Sequence, residues 1–351
     1  MTDEEAMDLA LSAVNAGPVG HRVMRRNGRM FLALPERGVA ALHTLWLYQP
    51  QRRKARWAAS AMQFLALTGL HRLVLPRFDG AGGKSKVEPG NPPCLGGTAG
   101  AMLGSPEHRI RRAIVSYETS DGWEVAKLAF GPEGRRVIEG EAKAIRGMPA
   151  GLPGIPRVLG VHHGPGFTML RMPYEKGRSF TPRETADAIR LLDAWIPDQP
   201  AVEITCFPEW PMIEGALEGF ENREKVITAL AGQQLVPMVR HGDFARWNLI
   251  RRRDGSVVVL DWEWGHPAGM PGLDLVHFVL QDARLVARKQ ATEAIAHAID
   301  MLSRPPYRDH LQRCGWMGSP LVPIVASLAW KQGAGHQDNA EILEAAAKML
   351  C

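Results

Sequence analysis

The stretch His241-Gly242-Asp243-Phe244-Ala245-Arg246-Trp247-Asn248, followed thirteen positions later by Asp261-Trp262-Glu263, decides how this chain is read. Between the two segments, residues 249–252 and 257–260 flank Asp254-Gly255, a dipeptide that closes tight β-hairpins because both positions tolerate positive φ. A hairpin returns the chain on itself. Asn248 and Asp261, at its outer ends, are therefore expected to meet, while Asp243 lies five residues earlier on a loop.

Two acids and an amide oxygen gathered in this way suit phosphoryl transfer, which runs on positioning and charge stabilisation. Magnesium takes hard oxygen donors and keeps several waters, so Asn248 and Asp261 supply a sensible shell together with phosphate oxygens. Asp243 is then left to orient an attacking hydroxyl and accept its proton. As an ordinary carboxylate it is a weak base, and its effect is expected from placement. By chance a His-x-Asp-x4-Asn pattern is expected on the order of 0.01 times in a chain of this composition, and the later Asp-Trp-Glu lowers that further.

Working outward, 351 residues with 45% hydrophobic and 23% charged residues describe a globular protein with room for two lobes. Cys94, Cys206, Cys314 and Cys351 form no CxxC pair, and the chain opens on acids, so a cytoplasmic setting is expected. The apolar run 57–70 is too short to span a bilayer. Charge is uneven: residues 1–78 hold eleven Lys/Arg against five acids, giving +6 of the net +5 and leaving −1 for the rest. A cluster such as Arg52, Arg53, Lys54 and Arg56 reads either as a solvated helix face or as a peripheral membrane contact. No nucleic-acid partner is expected.

Hydrophobic periodicity predicts helices over 3–16, 37–47 and 52–70 with a strand at 30–34, and then a Gly- and Pro-rich linker over 79–97. Strands follow at 109–117, 123–130, 156–162 and 166–171, with a helix over 137–147. Beyond residue 173 the pattern is mainly helical. The predicted fold class is α+β: a bilobal, kinase-like arrangement with a small antiparallel-sheet N-lobe (89–173), a helical C-lobe (174–351) and a basic N-terminal extension (1–88).

The motifs His241 to Asn248 and Asp261-Trp262-Glu263 resemble those of the aminoglycoside phosphotransferase family, within the wider choline kinase-like and protein kinase-like set. The resemblance covers about residues 100–290. It implies ATP and Mg2+ as cofactors, Asp243 as catalytic base, Asn248 and Asp261 as metal ligands, and His241 as an anchor of the loop. It also implies an adenine lying against the link 170–173, so that Leu170 and Met172 face the nucleotide. Asp274 sits where the family has an aspartate tying down the catalytic loop, although a helix cap explains it equally well. Arg246 departs from the family's usual proline; it reads either as a catalytic cation on the transferring phosphate or as a surface residue paired with an acid.

Lys127, on the predicted strand 123–130, is the candidate cation for nucleotide phosphates, held by Glu141 on the following helix, with Glu139 as second choice. No GxGxxG occurs. Gly104-Ser105-Pro106 is the preferred turn over the phosphates, ahead of Gly96, Gly97 and Gly100. Protein kinases carry an Arg after the motif His and a long activation segment. Gly242 and the ten residues between Glu263 and Asp274 exclude both, which points to a small-molecule hydroxyl acceptor. Residues 175–235 hold eleven acids and six Lys/Arg, a field that suits a cationic acceptor and that solvated helix faces explain as well. Two alternatives stand beside this: a nucleotide-binding pseudokinase, and a same-fold kinase of a sugar or lipid-linked metabolite at a membrane surface.

Overall fold

The computed structural model describes residues 1–14, 20–50, 53–78, 98–104, 110–335 and 339–350, which fall into two compact units. The first comprises Met1–Arg146 and Pro156–Glu175. It is built on one eight-stranded sheet of β1 (His21–Arg26), β2 (Arg29–Pro35), β3 (Arg77–Phe78), β4 (Gly100–Leu103), β5 (Arg112–Thr119), β6 (Gly122–Phe130), β7 (Gly160–Gly164) and β8 (Phe167–Pro173). The strand order is β3-β1-β2-β4-β5-β6-β8-β7, antiparallel at each pairing.

Local chemistry makes these hairpins. Asn27 and Gly28 both have positive φ, 50° and 77°, so the β1–β2 connection is the mirror-image turn that matches strand twist. The β5–β6 hairpin expected at Asp121-Gly122 forms, with Ser120 and Asp121 as its loop and Thr119 paired to Gly122. Alternation then sorts side chains to two faces. Helix α1 (Asp3–Ser12) buries Met7 and Leu11 against Ala33, Val115, Leu128 and Met169 on one face. On the other, α2 (Gly38–Leu45) and α3 (Arg53–Leu67) pack Leu42, Leu45 and Ala66 on Leu32 and Leu34. The short α4 (His71–Val74) follows α3, and α5 (Gly131–Gly147) follows β6.

Three predicted features differ. The described part of residues 1–88, expected as an extension, belongs to the first unit: its strands supply β1, β2 and β3 of the sheet, and α1 covers one of its faces. The run His21–Arg26 escapes a pattern search because Arg22, Arg25 and Arg26 interrupt its alternation. Helix α5 starts at Gly131 rather than 137, and β7 begins at Gly160 rather than 156. The predicted linker 79–97 lies outside the described residues.

The second unit comprises Gly147–Ile155 and Lys176–Cys351. Its helices are α6 (Thr185–Asp193), α7 (Trp210–Ala216), α8 (Arg223–Ala231), α9 (Leu273–Gln281), α10 (Ala291–Leu302), α11 (Tyr307–Arg313), α12 (Leu321–Gly333) and α13 (Ala340–Leu350). Leu321 through Lys331 are buried without interruption, so α12 is the helix the others surround. The short strands are β9 (Gly177–Ser179), β10 (Val202–Glu203), β11 (Gln234–Leu235), β12 (Met238–Arg240), β13 (Leu249–Arg252), β14 (Val257–Val259) and β15 (His266–Gly269). The expected hairpin is β13–β14, pairing Leu249 with Val259. The chain is thus of mixed α+β class, with an antiparallel sheet in one unit and a mainly helical second unit.

Candidate active site

The motif loop leaves β12 at Arg240 and is fixed at once by its backbone. Gly242 adopts φ +85°, where a Cβ would come within 2.5 Å of Trp264 Cβ, so only glycine fits. The amides of His241 and Gly242 donate to Asp274 Oδ2 and Oδ1 at 2.6 and 2.8 Å. Asp274, near the start of α9, therefore caps the loop.

His241 is fully buried and bridges the loop to the hairpin. Its Nε2 donates to the Leu260 carbonyl at 2.9 Å, and its Nδ1 accepts from the Asp243 amide at 3.1 Å. Because a carbonyl can only accept, the two bonds define a neutral ring with the proton on Nε2. Burial pushes its pKa down, although Asp274, Asp243 and Asp261 all act on it in the opposite sense. The Leu260 amide in turn donates to the Asn248 carbonyl at 2.8 Å. Leu260 is pinned between His241 and Asn248, and Asp261 is the next residue. Asp261 sits at φ +71°, a left-handed conformation uncommon for a non-glycine residue and characteristic of functional turns.

Asp243 is the junction of the site. Asn248 Nδ2 donates to its carbonyl at 2.8 Å and to its Oδ2 at 3.0 Å. On the other carboxylate oxygen, Oδ1, His277 Nε2 lies at 2.9 Å and Lys331 Nζ at 3.6 Å. Burial alone would raise the Asp243 pKa. The hydrogen bond from His277, then the charge of Lys331, hold it well below the usual carboxylate range, so it is ionised. His277 is itself pushed down by burial and by Lys331 beside it, and acts as a neutral donor. The Asp243 side chain keeps 28% exposure, enough to meet a ligand.

The residues fit a magnesium ion. With its amide nitrogen committed to Asp243, Asn248 has Oδ1 left as a hard donor. An amide oxygen and the Asp261 carboxylate are the donor types magnesium takes when phosphates and waters fill the remaining positions.

Arg246 has a different place from either expected one. It is 4% exposed; its Nε donates to Asp282 Oδ1 at 3.1 Å, NH2 pairs with Asp282 Oδ2, and NH1 donates to the Thr181 carbonyl at 2.6 Å. The guanidinium lies 5.0 Å from the Phe278 ring centroid. This is a buried structural pair, and the catalytic cation expected at Arg246 is not formed. Asp282 opens a π-helical turn, Asp282–Val286, that continues α9.

In the first unit Lys127 Nζ meets Glu141 Oε2 at 2.6 Å, both buried. Glu139 instead faces His163 and Arg135. Leu170 pairs across the sheet with Lys127 and its side chain is fully buried; Met172 is half-buried. Gly104 follows β4, its amide donating to the Arg112 carbonyl at 2.9 Å. Ser105, Gly96 and Gly97 lie outside the described residues. Gly100 serves packing, since a Cβ there would sit 2.1 Å from Thr44 Oγ1.

Four of the eleven acids of 175–235 are held in ion pairs within the fold: Glu184 with Arg178 and Arg251, Asp187 with Arg190 and Arg251, Asp193 with His310 and Arg313, Glu209 with Arg240. Sequence reasoning missed His277 and Lys331. The one available signal was the heptapeptide Asp274–Leu280, a helix apolar except for two polar residues three apart, on one face.

No protein-family model matches the chain, and no curated protein matches it. Among solved structures it is similar to the aminoglycoside phosphotransferase APH(4)-Ia, with 11% identity and a TM-score of 0.47 over 71% of this chain and 92% of that one. It is similar also to spectinomycin phosphotransferase APH(9)-Ia in complex with ADP and spectinomycin, with 9% identity and a TM-score of 0.42 over 74% of this chain and 93% of that one. An ethanolamine kinase of Plasmodium vivax matches at 10% identity and a TM-score of 0.44, over 72% of this chain and 81% of that one.

Proposed function

We propose that this protein is a small-molecule kinase that transfers the γ-phosphoryl group of ATP to a hydroxyl. The observation that carries this is Asp243: a partly open carboxylate, kept ionised by His277 and Lys331 and bonded to the Asn248 amide. Asn248 and Asp261 would hold the ion, which when bound neutralises charge on the phosphate oxygens.

Asp243 accepts the hydrogen bond of the acceptor hydroxyl and aims its oxygen at phosphorus. The oxygen–phosphorus bond forms as the bond to the departing ADP oxygen breaks, and the hydroxyl proton passes to the Asp243 carboxylate and then to water. So depressed a carboxylate is a poor base, and most of its contribution is orientation, with proton transfer late. Lys127, steadied by Glu141, supplies the cation for the nucleotide phosphates. Asp274 and His241 keep the loop in shape without touching substrate.

The test is a phosphate-transfer screen of small hydroxyl compounds with ATP and magnesium, run on wild type and Asp243→Asn in parallel. Wild type transfers phosphate to at least one compound and stops when magnesium is chelated; the variant falls by about 10²–10⁴-fold. Transfer that persists undiminished in the variant would remove Asp243 from the mechanism.

A further inference from the structure

Between Arg37 and Phe78 the chain has seven Lys/Arg and not one Asp or Glu. The same segment is where apolar surface stands open. Of the fourteen large hydrophobic residues exposed among the described residues, six fall within positions 57–74: Trp57, Phe64, Leu67, Leu70, Leu73 and Val74. Single exposed apolar residues are ordinary on a protein surface, whereas a contiguous group marks a contact.

The geometry of α3 makes this pointed. Its inward side carries Ala66, fully buried, with Met62 one turn earlier packed on the same cluster. Trp57 and Phe64 are two turns apart and lie on the opposite side, where a solvated helix would place charge. Lys54 and Arg56, both exposed, flank that line. Helix α4 packs against α3 and adds Leu73 and Val74. Trp57 is 79% and Leu73 83% exposed, so these side chains project outward rather than line a groove.

Projecting Trp, Phe and Leu rimmed by cations, with no acid in the segment, is the chemistry of a surface that enters an anionic bilayer interface. The apolar groups reach the acyl boundary and the basic groups meet lipid phosphates. No described helix is long and apolar enough to cross a membrane, so the contact is peripheral. We propose that α3 and α4 form a docking surface for anionic phospholipid bilayers, with Trp57, Phe64 and Leu73 inserted and Lys54 and Arg56 at the headgroups. This surface is independent of the chemistry assigned to Asp243.

The experiment is vesicle flotation of the full chain with phosphatidylcholine alone and with phosphatidylglycerol added. A Trp57→Glu/Leu73→Glu double variant is compared after circular dichroism has shown its fold intact. Wild type is expected on the phosphatidylglycerol vesicles only, binding at least tenfold more weakly in the variant and progressively less as salt is raised. The salt series needs no variant and stands even if the substitutions disturb folding. Absence of binding, equal binding to neutral vesicles, or binding indifferent to both salt and substitution overturns the proposal. A dimer in solution that the double variant dissociates, without vesicle binding, assigns the face to a second copy and likewise overturns it. An acidic protein partner is excluded by binding to protein-free vesicles.

Discussion

Lys331 carries its ammonium at 3% exposure, 3.6 Å from Asp243 Oδ1, an ion pair without a hydrogen bond. Burial pushes its pKa down, and the attraction of Asp243 and Asp274 opposes the push. Such a cation depends on its anion. Asp243→Asn is expected to destabilise the protein by about 1–3 kcal/mol, less than the loss for a fully buried pair because Asp243 is partly exposed. Adding Lys331→Met, which keeps the stem and removes the charge, should restore most of it. Urea unfolding of the two single variants and the double variant checks this, and strictly additive effects would refute the coupling. The sign with pH follows from the lowered Asp243 pKa. Its stabilising contribution is complete above the ordinary carboxylate value of about 4 and is lost as pH falls through the folded value, so the gap between wild type and Asp243→Asn narrows in acid. Asp243, Asn248 and Asp261 were legible because their spacing is local and the hairpin between them announces itself. His277 and Lys331 were not, because they reach Asp243 from 34 and 88 positions away and no short-range pattern records such a meeting.

At the scale of elements, α9 with its π-helical continuation grips the motif loop at three points: Asp274 on the His241 and Gly242 amides, His277 on Asp243, and Asp282 on Arg246. Asp274→Asn presents an amide hydrogen to one of those backbone donors. It should cost about 1–3 kcal/mol for the unsatisfied N–H and lower kcat more than tenfold, while nucleotide affinity changes little. Thermal melts together with steady-state kinetics read both effects, and a variant with wild-type stability would show that the cap is dispensable. The choice between helix cap and loop clasp at Asp274 could not be made from sequence, since both need an acid at a helix start. Elsewhere the element signals were uneven. Asp121-Gly122 and Asp254-Gly255 stand between apolar runs and read plainly as turns, whereas Asn27-Gly28 joins strands whose arginines hide the alternation.

For the molecule as a whole, the basic N-terminal region is part of a unit's core rather than an appendage. Removing residues 1–78 would strip three strands and α1 from the first unit, exposing the β4 edge and the apolar face that holds Val115, Leu128 and Met169. Such a truncation is expected to aggregate or to lose cooperative melting. A soluble truncated chain with an unchanged Tm would contradict that. Composition revealed the charge asymmetry of this region but not its packing, because Ala6, Met7 and Ala10 acquire meaning only against strands about 100 residues later. The grip of α9 on residues 241–248 has one more consequence. The loop's conformational entropy is surrendered when the chain folds, not when a ligand arrives, so binding energy is not diverted into ordering it. If the loop serves the proposed phosphotransfer, it cannot mould itself to one acceptor over another, and selectivity is then written in residues beyond it.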